Sequence, residues 1–194
     1  MSLFFLDFSF LSRNNYFNIV ILGDTNVGKT TLLYRYTENV YRCTVATIAA
    51  VSSSHTVELG PNVHVKLNIW DTCGMERYRA MTRNYYRNAA GCLLVFDLTN
   101  RASFRKIKEW HDDMCASSDK VVFVLVGQKC DDTLNRRVNR EEAELLANNW
   151  ECPYVETSAV TGENVNQVFD DLARRMKDEG ILSRPLPFKL CIFE

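Results

Sequence analysis

The chain has 194 residues, room for one domain at roughly 150 residues per domain with a little to spare. Lys and Arg number 23 against 24 Asp and Glu, and a net charge of −1 argues against a protein that coats nucleic acid, whose phosphate contacts need clustered cations. Hydrophobic residues at 46 % exclude a disordered chain, the 8 Gly, 4 Pro and 7 scattered Cys exclude collagen-like and disulfide-scaffold classes, and no apolar run reaches the ~18 residues of a membrane span.

Met1–Ser12 holds four Phe and three Leu with Asp7 as its one charge. It lacks the positive start and small-residue cleavage site of a secretory signal, and reads as a strand extension or apolar arm. A weak membrane or partner contact is the alternative. Ser2 excludes N-myristoylation. Tyr16–Leu22 is a β-branched apolar run closed by Gly23, hence a strand. Lys29–Thr37 places Leu32, Leu33 and Tyr36 at helical spacing. Val40–Val51 has no clean period and reads as a loop. Ser53–Leu59 and Val63–Trp70 read as strands around a turn, the second alternating Val63, Val65, Leu67 and Ile69 with polar residues. Cys92–Leu98 is short and, but for Asp97, apolar, the pattern of a strand covered on both faces. Phe104, Ile107, Trp110 and Met114 mark a helix face. Val121–Val126 is a second buried strand, Arg140–Asn149 a helix, Pro153–Glu156 a short strand and Val165–Lys177 a final helix. Alternating strands and helices give an α/β fold with a mostly parallel sheet, in which ligands bind beyond the carboxyl ends of the strands.

The chemistry-bearing motifs fall at those ends. Gly23-Asp24-Thr25-Asn26-Val27-Gly28-Lys29-Thr30 fits G-x-x-x-x-G-K-[ST] between a strand and a helix. Such glycines let the backbone wrap phosphates, with N–H groups aimed inward at the positive end of a helix. Lys29 brings a cation to the β- and γ-phosphates, and Thr30 a hydroxyl to Mg²⁺. Asp71-Thr72-Cys73-Gly74 follows the third strand. Its acid can hold Mg²⁺ through water, and Gly74 lets an N–H approach a γ-phosphate. Gln128-Lys129-Cys130-Asp131 follows the fifth strand. A carboxylate there accepts from guanine N1–H and the 2-amino group, a donor pair adenine lacks, and can discriminate by roughly 10⁴-fold. The Lys129 stem can cover the base face. At Thr157-Ser158-Ala159 small residues let N–H groups reach a base oxygen. The cysteines form no C-x-x-C pair, and His55, His64 and His111 have no ligand spacing, so no zinc or redox site is expected.

In this order and at these intervals the motifs resemble the Rab family of small GTPases, in the Ras superfamily. Trp70-Asp71-Thr72-x-Gly74-x-Glu76-Arg77-Tyr78, Thr82-Arg83-Asn84-Tyr85-Tyr86-Arg87, Leu94-Val95-Phe96-Asp97-Leu98-Thr99-Asn100 and Glu156-Thr157-Ser158-Ala159 carry the likeness. It covers Tyr16 to about Gly180, leaving an apolar extension over 1–15, a GTP-binding domain over 16–180 and a short tail over 181–194. It implies a Ras-like P-loop GTPase domain with a six-stranded sheet and five helices, and a monomeric switch for vesicle trafficking. Gly23, Thr25, Asn26, Val27, Gly28, Lys29, Thr30, Thr31, Tyr41, Thr47, Gly74, Gln128, Lys129, Asp131, Ser158, Ala159 and Val160 would then bind GTP or GDP. Thr30, Thr47 and Asp71 would hold Mg²⁺, and Lys29 would act in catalysis. Effector and regulator proteins would meet Trp70 and Tyr85, with Ser52 where a third, apolar contact is usual.

Departures from the family pattern are specific. Met75 stands where a glutamine orients the attacking water, and a thioether has no donor, so weak hydrolysis is expected. Cys73 replaces alanine, Thr47-Ile48-Ala49 replaces Thr-Ile-Gly, Gln128 replaces an asparagine and Val160 a lysine. Cys191 is fourth from the end, at a lipidation position, but Glu194 is an atypical last residue and only Arg184 and Lys189 add positive charge. Two functional readings follow. One is a slow GTPase at the cytosolic face of membranes; the other is a GTP-locked or nucleotide-poor scaffold.

Overall fold

The structure, a computed structural model, describes residues 15–43, 51–61, 63–72, 88–118 and 120–181. Six strands form one sheet in the order β2-β3-β1-β4-β5-β6. They are β1 (Asn15–Leu22), β2 (Val51–Gly60), β3 (Val63–Asp71), β4 (Gly91–Asp97), β5 (Val122–Gln128) and β6 (Tyr154–Thr157). β2 runs antiparallel to β3, and every other pair is parallel. Four helices stand among the described residues, against five expected: α1 (Lys29–Glu38), α2 (Arg101–Cys115), α3 (Arg140–Asn149) and α4 (Val165–Asp178).

Alternation along the strands separates two cores. Ile19, Ile21, Leu67, Leu93, Val95, Val124 and Val126 face α1 and α4, where Leu32, Phe169 and Leu172 are buried. Val20, Leu22, Leu94, Phe96 and Leu125 face α2 and α3, where Ile107, Trp110, Met114 and Ala143 are buried. A fully buried side chain of this size contributes ~1.5–3 kcal/mol, so the two layers hold the strand ends in fixed register. Phe169 of α4 stacks on Tyr36 of α1 with ring centroids 3.8 Å apart, tying the two helices on that face together.

The boundaries differ from expectation where periodicity is silent. α2 begins at Arg101 rather than near Phe104, because the Asn100 side chain accepts from the amides of Ala102 and Ser103 and caps an otherwise polar first turn. β5 runs to Gln128, two residues beyond its apolar stretch, since Gly127 and Gln128 continue the ladder with Phe96 and Asp97. β2 starts at Val51, where the loop reading ended, paired with Asp71 across the sheet. The N-terminal arm, Thr47, Ala49, Cys73, Gly74, Met75, Tyr85 and the tail with Cys191 lie outside the described residues.

Candidate functional site

The β1–α1 connection is built for a close approach. A Cβ at Gly23 would sit 2.0 Å from the Val95 carbonyl oxygen, and φ is +149° there, so only glycine fits. Asn26 at φ 63° and Gly28 at φ 100° turn the chain through left-handed positions, a backbone that presents successive N–H groups to one concavity. Gly28 is also the residue before α1, and no side chain caps the helix there. The positive end of the helix dipole at this turn favours an anion. Lys29, 6 % exposed, donates from Nζ to the carbonyls of Gly23 and Asp24, each at 2.9 Å. The ammonium is thereby held across the mouth of the loop.

Thr30 and Asp71 meet beside it. Thr30 Oγ1 donates to Asp71 Oδ2 at 2.5 Å, although the two are 41 residues apart in sequence. β1 and β3 pair in parallel with Ile21 opposite Asp71, and this register brings the acid to the phosphate loop. Thr72 Oγ1 donates to the Ile21 carbonyl at 2.7 Å and ties down the strand end just past the acid. Asp71 is 1 % exposed, and its Oδ1 has no hydrogen-bond partner among the described residues. Burial raises its pKa, an effect partly opposed by the Thr30 hydrogen bond and the Lys29 charge. A buried carboxylate oxygen without a donor, beside a hydroxyl, fits a hydrated divalent cation. Thr31, the next residue of α1, is half-buried.

The residues expected to read a base follow β5 and β6. Gln128 is buried, and its Oε1 accepts from Thr157 Oγ1 at 3.1 Å and from the Lys129 amide at 3.0 Å. Its Cγ lies 3.1 Å from where a Cβ would stand at Gly28, so the phosphate loop packs directly on this side chain. Glutamine therefore joins three loops here, its substitution for the family's asparagine notwithstanding. Lys129 sits at φ 69°, and its Nζ pairs with Asp97 Oδ2 at 2.5 Å. The other Asp97 oxygen accepts from the Thr99 amide and hydroxyl. Asp131 is exposed beyond this pair. Burial and the Glu163 carboxylate push the Cys130 thiol up to about 11, which keeps it protonated near neutral pH. After β6, the amides of Ser158, Thr161 and Gly162 are consumed locally, by the Glu163 carbonyl, Ser158 Oγ and the Ser158 carbonyl. Among the described residues the amides of Ala159 and Val160 have no acceptor.

The remaining sequence candidates are placed as follows. Tyr41 is exposed after α1. Trp70 is half-buried at the end of β3, packed against the α2/α3 core and paired in register with exposed Ser52. Three contributors escaped the sequence reading. Asp97 stands in the family-like segment Leu94 to Asn100 with no role of its own assigned. Asp24, whose Oδ1 accepts the Thr25 amide and whose Oδ2 lies 3.5 Å from Lys106 Nζ, stands in the phosphate-loop motif with no role assigned. Arg35 is not singled out by any motif. A lone acid at a strand's carboxyl end was the only available signal, and it applied to Asp97 alone.

Residues 18–178 match the family model described as Ras family, and the chain belongs to the Ras family of small GTPases. It is 42 % identical to Ras-related protein Rab-39A of Mus musculus over 166 residues, 81 % of this chain and 76 % of that protein. Ras-related protein Rab-42 of Homo sapiens is 42 % identical over 165 residues, with the same coverage of 81 % and 76 %. Ras-related protein Rab-8B of Homo sapiens is 42 % identical over 161 residues, 81 % of this chain and 77 % of that protein. The resemblance to Rab proteins is borne out, and so is the Ras-like α/β fold.

Proposed function

We propose that the chain is a Rab-type GTP-binding switch of intracellular vesicle trafficking that hydrolyses GTP slowly. One observation carries this reading. The phosphate loop touches both other parts of the site, through Thr30 on Asp71 and Gly28 on Gln128. A pocket shared by a phosphate cradle, a metal-type acid and base-reading loops suits a purine nucleoside triphosphate. The guanine preference rests on Asp131 and the open amides of Ala159 and Val160.

In this reading the loop amides and Lys29 bind the β- and γ-phosphates and oppose charge that develops as the terminal phosphoryl group transfers to water. Thr30, Asp71 through water and Thr47 would hold Mg²⁺. When bound, that ion supplies neutralisation of the phosphate oxygens. Gly74 would offer a backbone N–H to the γ-phosphate, Tyr41 would cover the base, and Thr25, Asn26, Val27 and Thr31 would line the phosphates. Met75 holds no water by a donor–acceptor pair, so positioning is incomplete and turnover slow. The same residue favours a second reading, a GTP-locked or nucleotide-poor scaffold. Trp70 and Tyr85 would face effectors. Among the described residues no helix is long and apolar enough to cross a membrane, so membrane contact would be peripheral, through Cys191. Identifying the nucleotide that co-purifies with the full chain tests the proposal. GDP, or a GDP/GTP mixture, is expected. An adenine nucleotide overturns the guanine reading, and GTP alone transfers the case to the locked scaffold.

A further inference from the structure

Arg35 lies six residues after Lys29 on α1, about 9 Å along the helix at 1.5 Å per residue. Its side chain is half-buried, and the guanidinium is spent on three backbone carbonyls. Nε donates to the Ala159 carbonyl at 2.7 Å, Nη2 to the Val160 carbonyl at 2.6 Å and Nη1 to the Asn39 carbonyl at 3.2 Å. The planar fork thus closes the C-terminal turn of α1 and grips two consecutive peptides of the loop after β6. Its partners lie 124 and 125 residues away in sequence.

A trans peptide is planar, so fixing its carbonyl fixes the opposed N–H. The Ala159 carbonyl belongs to the peptide whose N–H is that of Val160. Holding it on the α1 side turns the Val160 amide to the opposite side. The preceding peptide is fixed in the same way, because the Ser158 carbonyl accepts from Gly162 at 2.8 Å, and this orients the Ala159 amide. Thr161 donates to Ser158 Oγ at 3.0 Å, which uses the N–H beyond the Val160 carbonyl. The outcome is a loop with two adjacent amides that meet no acceptor among the described residues.

We propose that Arg35 is a positioning residue for nucleotide specificity. It presents the Ala159 and Val160 amides to the 6-oxo group of a guanine, and through α1 it couples that loop to the phosphate site at Lys29 and Thr30. The proposal rests on the guanine-nucleotide reading above. It assigns to one arginine the rigidity that lets neutral backbone donors discriminate between bases: unlatched, the loop loses the entropy advantage of preset donors.

The test uses the full chain with GDP, with ADP as a control, and with 6-thio-GDP, which keeps N1–H and the 2-amino group but replaces the oxygen by a weaker acceptor. Dissociation rates are measured for the parent, Arg35→Ala and Arg35→Lys. The parent is expected to release 6-thio-GDP faster than GDP. Arg35→Ala should release GDP about tenfold faster and bring the two rates close together, consistent with losing charge-assisted hydrogen bonds. Arg35→Lys, which supplies one point donor instead of a fork, should fall between, and it carries the test if Arg35→Ala does not fold. Unchanged GDP release in a folded variant overturns the proposal. So does faster release of both ligands with their ratio preserved, which would make the latch purely structural. A parent that does not prefer GDP to ADP would instead overturn the guanine reading itself.

Discussion

Asp131 carries the sharpest chemical expectation at the scale of single residues. It is exposed just beyond the Lys129–Asp97 pair, and in the proposed function it accepts two donors from one base edge. Asp131→Asn turns an acceptor pair into one acceptor and one donor. GDP affinity should fall by about 10²-fold or more, and xanthosine diphosphate, with an oxygen in place of the amine, should bind better than GDP does. Competition between the two nucleotides on the variant reads this directly, and retained GDP preference would move base recognition elsewhere. Met75 is the second case. A glutamine at this position would supply both a donor and an acceptor for the attacking water. Met75→Gln is therefore expected to raise single-turnover hydrolysis by about tenfold or more with little change in GTP affinity, because the added interaction is made chiefly in the transition state. If the variant binds GTP tightly and stays inert, the scaffold reading gains.

At the scale of elements, the fit between β4 and α4 sets how closely the sheet and its covering helix approach. A Cβ at Gly91 would lie 2.7 Å from Met176 Sδ and 3.0 Å from Leu172 Cδ1. Both side chains are fully buried, so they have little room to retreat. Gly91→Val should cost about 1–3 kcal/mol by overpacking, and at roughly 2–4 °C per kcal/mol for a chain of this size the melting temperature should drop by several degrees. Shortening Met176 to Ala in the same chain should recover part of the loss. Additive losses in the double variant would mean that the strain lies in the backbone of β4. The same closeness explains why β4 starts at Gly91, a residue that hydrophobic patterning passes over.

At the scale of the whole molecule, the carboxyl ends of β5 and β6 are braced by a charge network spanning the loop after β5 and the β6 strand. Arg136 forms a bidentate pair with Glu156, and the Tyr154 hydroxyl donates to the same carboxylate at 2.9 Å. Burial alone would raise the Glu156 pKa, yet the Arg136 and Tyr154 hydrogen bonds outweigh it, and the group titrates below its ordinary value of 4.5. A carboxylate with a lowered folded-state pKa stabilises the fold fully above the unfolded value, and that contribution disappears as pH falls through the folded one. Glu156→Gln should therefore be destabilised relative to the parent at pH 7. The gap measured by urea unfolding should narrow progressively below pH 4.5. A gap independent of pH would assign the loss to packing rather than charge.

The order of elements, the mostly parallel sheet, the phosphate loop and the strand-end acids were legible in the sequence because each rests on short-range pattern: alternation of period two, helical spacing, and glycines before a lysine and a hydroxyl. Arg140–Asn149 was readable to the residue, since its apolar positions are regular and Asn139 with Glu142 forms a capping box. Family likeness reached further, to guanine and to the departures at Met75 and Gln128. What only the tertiary structure decided is which distant polar groups meet. Thr30 touches Asp71 because β1 and β3 pair in one register, Lys129 finds Asp97 because β4 and β5 end together, and Arg35 reaches Ala159 because α1 and the loop after β6 end on the same side. No local pattern encodes those partners. They follow from strand order and from packing on both faces of the sheet, which a one-dimensional reading does not contain.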